Sequence, residues 1–593
     1  MFRNIIKETV AVLALGLALA ILWTWPLFPH LGQALPHDAR FTPPGGSDMH
    51  IWVWDFWWVA EAAAGRGDFF FSDEIFLPNG QSLALHTHVF LWGFLTLPLQ
   101  WLGGPIFAVG AAFLLLFATS FAAMWALLRT VGASRVACAF GAFAWAFSPY
   151  FLQKSLEHMD FGASPWPPLF LLFLLKWIHA KEGKTWTPAL AMGTVLGLTL
   201  LTSPLGTFST LVLGALVLAF APRLITVGHR GQMQGGLEMP LMTPNRARLL
   251  KSPALLPAAL LALAIGWPWL SEAMAELRRA AEFASMHPEL GDSLQRSTLV
   301  YAHLVDFLRL PGLNPIAQSL FGSGMPPDKP LGWNEVSGLH LSFALVPLAL
   351  FALWNRWELR GWAWLSAALF LIVWDPGFGR GDGWISSLFR MLPAMDTYRI
   401  PTRFFPYFLL PVVVLAAFGL DRVWKHSRGV VAVVAVILAV ENWVGTYPLM
   451  PVNIPSSIVQ LSGEEGVEGV LTLPVQFGAS QAMTWQTVHG KPVVFSYLAR
   501  VSPKELFLCK EIAPDLFALA VPTVDRDGVV NTPDPVAVAM DLSHIGVDNI
   551  LVDGSGTELP GQIRDVLSEL LDEMPNWVRV ECESSMLWWQ EMP

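Results

Sequence analysis

Thr9–Phe28 reads TVAVLALGLALAILWTWPLF, twenty residues without a charge. An α-helix of that length crosses a hydrocarbon core of about 30 Å. Arg3 and Lys7 precede the run. It is longer than the apolar part of a secretory signal and no convincing cleavage site follows, so it is expected to stay as an uncleaved first span. Further apolar runs occupy 105–128, 136–152, 165–180, 187–203, 205–221, 252–271, 338–353, 362–374, 404–420 and 429–447. The whole chain agrees with them. Of 593 residues 54% are hydrophobic and 14% charged, with a mean hydropathy of +0.49, against about 25% charged in an average soluble domain. This excludes an all-soluble or a disordered protein and predicts a polytopic α-helical membrane protein of about eleven transmembrane helices. The net charge of −10 offers no sustained basic surface, so no nucleic-acid partner is expected.

Orientation follows from the basic residues. With the N-terminus inside, and with 88–102 dipping into the membrane without crossing, the loops alternate. Segments 1–8, 129–135, 176–186, 222–251, 354–361 and 421–428 hold 17 Lys and Arg in 72 positions. Loops 29–104, 153–164, 272–337 and 375–403 hold only 12 in 183. Lys and Arg favour the cytoplasmic side, so the first set is placed inside and the C-terminus outside. The expected home is the cytoplasmic (inner) membrane of a bacterium.

The transmembrane domain is expected over 1–447, with a large first outside loop at 29–104. After residue 448 no run is long enough to span. GVLTLPV (469–475) and VDNILVDG (547–554) read as short buried strands. IRDVLSELLDE (563–573) has helical periodicity, and WVRVECESSMLWWQ (577–590) reads as a hairpin. A small C-terminal α/β domain outside the cytoplasm is expected over 448–593. Cys138 sits in an apolar run and reads as a small buried hydrophobe. Cys509 and Cys582 are free to pair if their compartment is oxidising.

Candidate chemistry lies on the outside loops. In the first, Asp48 follows a Gly-Gly-Ser turn and precedes Trp52, Trp54, Trp57 and Trp58. Its carboxylate suits a general base or metal ligand at a membrane cavity; equally, Asp after Gly-Ser suits a helix N-cap. Asp55 is seven residues on, on the same helical face. His86 and His88 follow the LPNG turn (77–80). The Trp cluster reads as an interfacial belt or a platform for stacking sugars. In the second loop Glu157, His158 and Asp160 combine oxygen ligands with one imidazole, a set that suits Mg or Mn, or form a solvated loop with a helix cap. Glu335, within LGWNEVSGLH (331–340), stands at a span entrance. Arg399 and Arg403 lie where outside cations are scarce. Guanidinium groups suit phosphate through bidentate hydrogen bonds, and they also snorkel to lipid headgroups. His489, in QTVHGKP (486–492), faces a cavity or stabilises a turn. Glu441 is a charge inside the last span.

Taken in order, GSDMHIWVWDFWW (46–58), IFLPNG (75–80), WAFSPYFLQKSLEHMD (145–160), YRIPTRF (398–404) and TWQTVHGKPVVFSYLAR (484–500) resemble the GT-C superfamily of membrane glycosyltransferases, which use polyprenyl-phosphate-linked sugars. The resemblance covers nearly the whole chain. It implies that Asp48 serves in catalysis and that Glu157, His158 and Asp160 bind acceptor, donor or metal. The first outside loop contains no Asp-x-Asp. The expected activity is inverting transfer of a sugar from a polyprenyl-phosphate carrier to an extracytoplasmic glycan, lipid or protein acceptor, with Asp55, His86, His88, Glu335, Arg399, Arg403 and His489 on the substrates. The mechanism asks Asp48, Glu157 or Asp160, and Arg399 or Arg403 to line one cavity. A non-catalytic assembly protein on the same fold, and a lipid or polysaccharide transporter, are the alternatives.

Overall fold

The computed structural model describes residues 2–40, 46–224 apart from 85, 87, 163 and 181–183, then 252–286, 307–308, 313–321, 338–356, 359–375, 383–391, 400–473 and 475–496. Beyond these it describes 514–515, 523–524, 530–531, 533–545, 547–553, 568–574, 577–581 and 585–590. Glu335, Arg399, Cys509 and Cys582 lie outside the described residues. Two compact units emerge. One holds Met1–Pro29, Ala111–Trp267 and Gln295–Pro448, the other His30–Gly110, Pro268–Leu294 and Leu449–Pro593.

Among the described residues six helices are long and apolar enough to cross a membrane: Ile6–Trp23, Leu97–Val131, Arg135–Lys154, Met159–Ile178, Leu255–Arg279 and Pro401–Trp424. Trp186–Leu200, Pro204–Phe220, Leu345–Asn355 and Arg360–Trp374 are shorter apolar helices. The chain is an integral membrane protein. The Leu97–Val131 helix is broken at Gly104, whose φ of 78° only glycine adopts readily, just before Pro105. The apolar 88–102 stretch therefore does not continue straight into the following span.

In the first unit the Phe405–Trp424 helix is apolar on every side, as a helix surrounded by protein must be. It packs against Leu345–Asn355, Arg360–Trp374 and Arg135–Ala146. Its approach to the first of these is very close. A Cβ built on Gly419 would stand 2.1 Å from the Leu348 carbonyl oxygen, and backbone cannot rotate away. Gly419→Ala is expected to cost about 1–3 kcal/mol as overpacking. Thermal unfolding of the detergent-solubilised protein measures it; an unchanged midpoint would mean that the two helices part freely.

Polar groups close the helix ends. Asp421 accepts from Ser134 N at 3.0 Å and from Ser134 Oγ, so a carboxylate sits at the start of the Arg135–Ala146 helix, where the dipole favours it. Glu8 lies 3.9 Å from Arg129 and 3.4 Å from Arg135. Residues from 1–8, 129–135 and 421–428 thus meet. At the other ends of these helices Tyr447 N donates to Trp25 O at 2.9 Å, and Ser155 Oγ hydrogen-bonds Tyr447 Oη. Glu441 accepts from Phe343 N at 2.8 Å and from Ser342 Oγ. It holds the entry to the Leu345–Asn355 helix. Cys138 is fully buried.

The second unit joins the first loop to the C-terminal segment. Ala34–Pro36 pairs antiparallel with Leu449–Pro451. Val493 N donates to Glu74 O at 2.9 Å, and Leu77 N to Val493 O at 3.3 Å. Val470–Leu473 runs parallel to Asn549–Asp553. Ser585–Gln590 pairs antiparallel with Asn549–Asp553 on one side and Trp577–Glu581 on the other. Leu471, Leu473, Val538, Leu542, Ile550 and Leu571 fill the core beneath this sheet. The Met49–Ala63 helix packs against Val475–His489 and Phe90–Leu95. Trp52, Trp54 and Trp58 are at most 1% exposed. They form neither an interfacial belt nor an open sugar platform: Trp54 Nε1 donates to Gln486 Oε1 at 2.8 Å, the Trp52 ring stacks on His86, and Trp58 Nε1 donates to Asp68 O at 2.8 Å.

Candidate functional site

Of the residues singled out from the sequence, Asp160 and Arg403 come together. Both line a pocket in the membrane unit. Asp160 and Phe161 come from the 3-10 turn Met159–Phe161. Trp166 opens the Trp166–Ile178 helix. Arg403 belongs to the 3-10 turn Pro401–Phe404, which Pro401 starts by fixing its own φ. Tyr407 follows in the next helix. Thr199, Thr202, Ser203 and Ser209 also line it. These come from the junction where Pro204 ends one apolar helix and begins the next.

The Arg403 guanidinium lies over the Phe161 ring, 4.3 Å from its centroid. The contact fixes the plane of the charged group, and an aromatic face attracts a cation. Tyr407 Oη donates to Gly206 O at 2.8 Å. Thr199 Oγ1 donates to Val195 O at 2.7 Å and Thr202 Oγ1 to Leu198 O at 3.0 Å. Their hydroxyl protons go to helix carbonyls, which leaves oxygen lone pairs as what these threonines offer the pocket. The result is one oriented cation, one carboxylate, aromatic walls and several hydroxyls. The hydroxyl residues were not picked out in the sequence analysis. LTLLTSPLGTFST (198–210) held the signal, a polar stretch with a Pro between two apolar runs. Glu157, next to this turn, is buried, and His158 is half-buried. Buried Lys154, also not anticipated, lies with its Nζ 5.9 Å from the Tyr150 ring centroid.

Asp48, Asp55, His86, His88 and His489 belong to the other unit. Asp48 is half-buried at the N-cap position of Met49–Ala63. Its backbone is already helical (φ −61°, ψ −16°) and its side chain makes no capping hydrogen bond. Ser47 Oγ instead accepts from Met49 N at 3.2 Å. The capping explanation of this carboxylate therefore fails. Asp55 is brought together with His86 and His88: Asp55 Oδ1 is 3.0 Å from His88 Nδ1 and 3.5 Å from His86 Nε2. All three side chains are at most 1% exposed and face one another. Burial pushes the Asp55 carboxyl up, but the His88 and His86 imidazoles pull it below its ordinary value. A lowered folded-state pKa makes the contribution of Asp55 to stability present above the unfolded carboxyl value of about 4 and lost as pH falls below it. His489 ends the Val475–His489 helix, and its Nδ1 accepts from Lys491 N at 3.0 Å. Burial, with the Lys491 charge nearby, pushes its pKa down to about 3, so the ring is neutral at physiological pH.

Among the described residues no three His, Cys, Asp or Glu side chains are grouped so as to hold a metal ion.

The fold has known relatives in structure. The chain is similar to the arabinofuranosyltransferase AftD from Mycobacteria, at 16% identity and a TM-score of 0.51, covering 99% of this chain and 40% of AftD. For the R1389S mutant of AftD in its first class the values are 14%, 0.53, 98% and 41%. ArnT from Cupriavidus metallidurans gives 12% identity and a TM-score of 0.45, covering 98% of each chain. No family model matches the chain, and no curated protein matches it in sequence. The chain has the fold of the GT-C glycosyltransferases and spans about two fifths of the length of AftD.

Proposed function

We propose that this protein is a membrane glycosyltransferase that moves a sugar from a polyprenyl-phosphate carrier to a glycan, lipid or protein acceptor outside the cytoplasmic membrane of a bacterium. The observation that carries the reading is the pocket that joins Arg403 and Asp160 at the ends of apolar helices in a chain with a GT-C fold. The N-terminus faces the cytoplasm and the C-terminal segment lies outside, as the distribution of Lys and Arg favours.

In this reading the isoprenoid tail lies in lipid and the carrier phosphate meets the Arg403 guanidinium, with Arg399 as a second cation. A fixed cation stabilises charge as it grows on the leaving phosphate. Asp160 and the pocket hydroxyls accept from sugar hydroxyls. Asp48 takes the proton of the acceptor hydroxyl, whose oxygen attacks the anomeric carbon as the bond to phosphate breaks, with inversion. The proton ends on the carboxylate and the electron pair on the departing lipid phosphate.

The test uses the full-length protein in native-like membranes, with a panel of radiolabelled polyprenyl-phosphate sugars and bacterial envelope extract as acceptor. Transfer of label that depends on the protein and on Asp48 supports the reading. Absence of transfer from every donor, with the protein folded, favours the non-catalytic assembly role.

A further inference from the structure

The Met49–Ala63 helix is buried along almost its whole length. Apolar contacts are non-directional, so they leave the rotation and height of such a helix weakly specified, and directional bonds must choose among near-equivalent settings. Several bonds are present. His50 Nδ1 lies 2.7 Å from Thr484 Oγ1, Trp54 donates to Gln486, and Trp58 Nε1 donates to Asp68 O at 2.8 Å. A buried charged contact runs from Asp55 to His86 and His88. It ties the helix to the segment after the Gln81–Ser82 strand. That segment is itself held: Trp269 Nε1 donates to Ala84 O at 2.8 Å, the Trp52 ring stacks on His86, and Phe70 meets His88 edge-on.

Asp48 stands seven residues before Asp55. On a helix of 3.6 residues per turn, seven steps bring a side chain to about 20° short of two full turns, roughly 10 Å along the axis. The tether and Asp48 therefore share a face of one rigid helix. We propose that Asp55, His86 and His88 are positioning residues that fix the rotation and height of the Met49–Ala63 helix and so aim the Asp48 carboxylate. The inference rests on Asp48 being the base. A misplacement of about 1 Å at a catalytic group costs as much as 10²-fold in rate, so a tether two turns away governs turnover without touching substrate.

The experiment measures Asp55→Asn, His86→Gln and His88→Gln in the full-length protein, with Glu61→Gln as control. Glu61 pairs with Arg66 near the solvent-facing end of the same helix. Expected is a fall in kcat of about 10–100-fold for Asp55→Asn and His88→Gln at unchanged KM, with Glu61→Gln silent. A second readout is independent of sugar transfer. In an Asp48→Cys protein, labelling at position 48 by a membrane-impermeant maleimide is expected to change severalfold when Asp55→Asn or His88→Gln is added, at temperatures well below unfolding. Unchanged labelling, or kcat losses that merely follow loss of thermal stability, overturns the positioning role. Changed labelling in a protein whose Asp48→Asn form still transfers sugar keeps the positioning role and removes Asp48 as base. Unchanged labelling where Asp48→Asn abolishes transfer does the reverse.

Discussion

Asp48→Asn is expected to lower the rate of sugar transfer by about 10²–10⁴-fold, the usual loss when a general base is removed, in a protein that still folds. Asn keeps the shape of Asp but has almost no proton affinity. The Asp48 side chain makes no capping bond, and Ser47 serves Met49 N instead. Capping of this helix therefore does not depend on this carboxylate. If Asp48 capped the helix, Asp48→Asn would be nearly silent, because Asn caps about as well as Asp, and Asp48→Ala would cost about 0.5–2 kcal/mol. Asp48 acting as the base gives the other pattern, with both substitutions losing transfer. Transfer rates and thermal unfolding at matched expression measure it. Full activity of Asp48→Asn would end the assignment and make the assembly role the better reading.

Arg403→Gln is expected to reduce kcat/KM by about 10²–10³-fold, the scale of losing one fixed donor to developing charge. The cation sits over Phe161 with its plane set, so geometry as well as charge is at stake. Lysine keeps the charge but not the planar, two-pronged donor. Arg403→Lys should therefore recover only part of the rate, which headgroup snorkelling would not predict. The measurement is transfer kinetics over a range of carrier concentrations. Equal kinetics for wild type and Arg403→Gln would place the carrier phosphate elsewhere.

Helices were legible wherever apolar runs were long, because membrane crossing imposes one length and one polarity. The strands at Val470–Leu473 and Asn549–Asp553 were legible as short β-branched runs bounded by turns. The fate of the Trp cluster was not. Apolar side chains look alike whether lipid or protein covers them, and the covering helix, Val475–His489, lies more than 400 residues further on. Asp55, His86 and His88 were each visible as polar residues in the loop. Their meeting depends on how the chain beyond the LPNG turn returns to the helix, which local pattern does not encode. Arg403 was visible by the scarcity of cations in the loops that the sequence pattern assigns to the outside. The hydroxyl wall across from it was hidden because Ser and Thr are unremarkable near helix ends.

The interleaving of the second unit has a consequence for how the protein is made. Its opening strand, Ala34–Pro36, pairs with Leu449–Pro451, and Trp54 reaches Gln486. At roughly 5–20 residues per second of synthesis, the tryptophan-rich helix waits about 20–80 s after it is made before its covering helix exists. During that interval its apolar faces are without their final partner, while the intervening spans enter the bilayer one after another. Biogenesis must therefore shelter this loop, against lipid or a holding chaperone, until the end of the chain arrives. Chains stalled or truncated before residue 475 should be degraded faster than the full chain even though most of their apolar helices are complete.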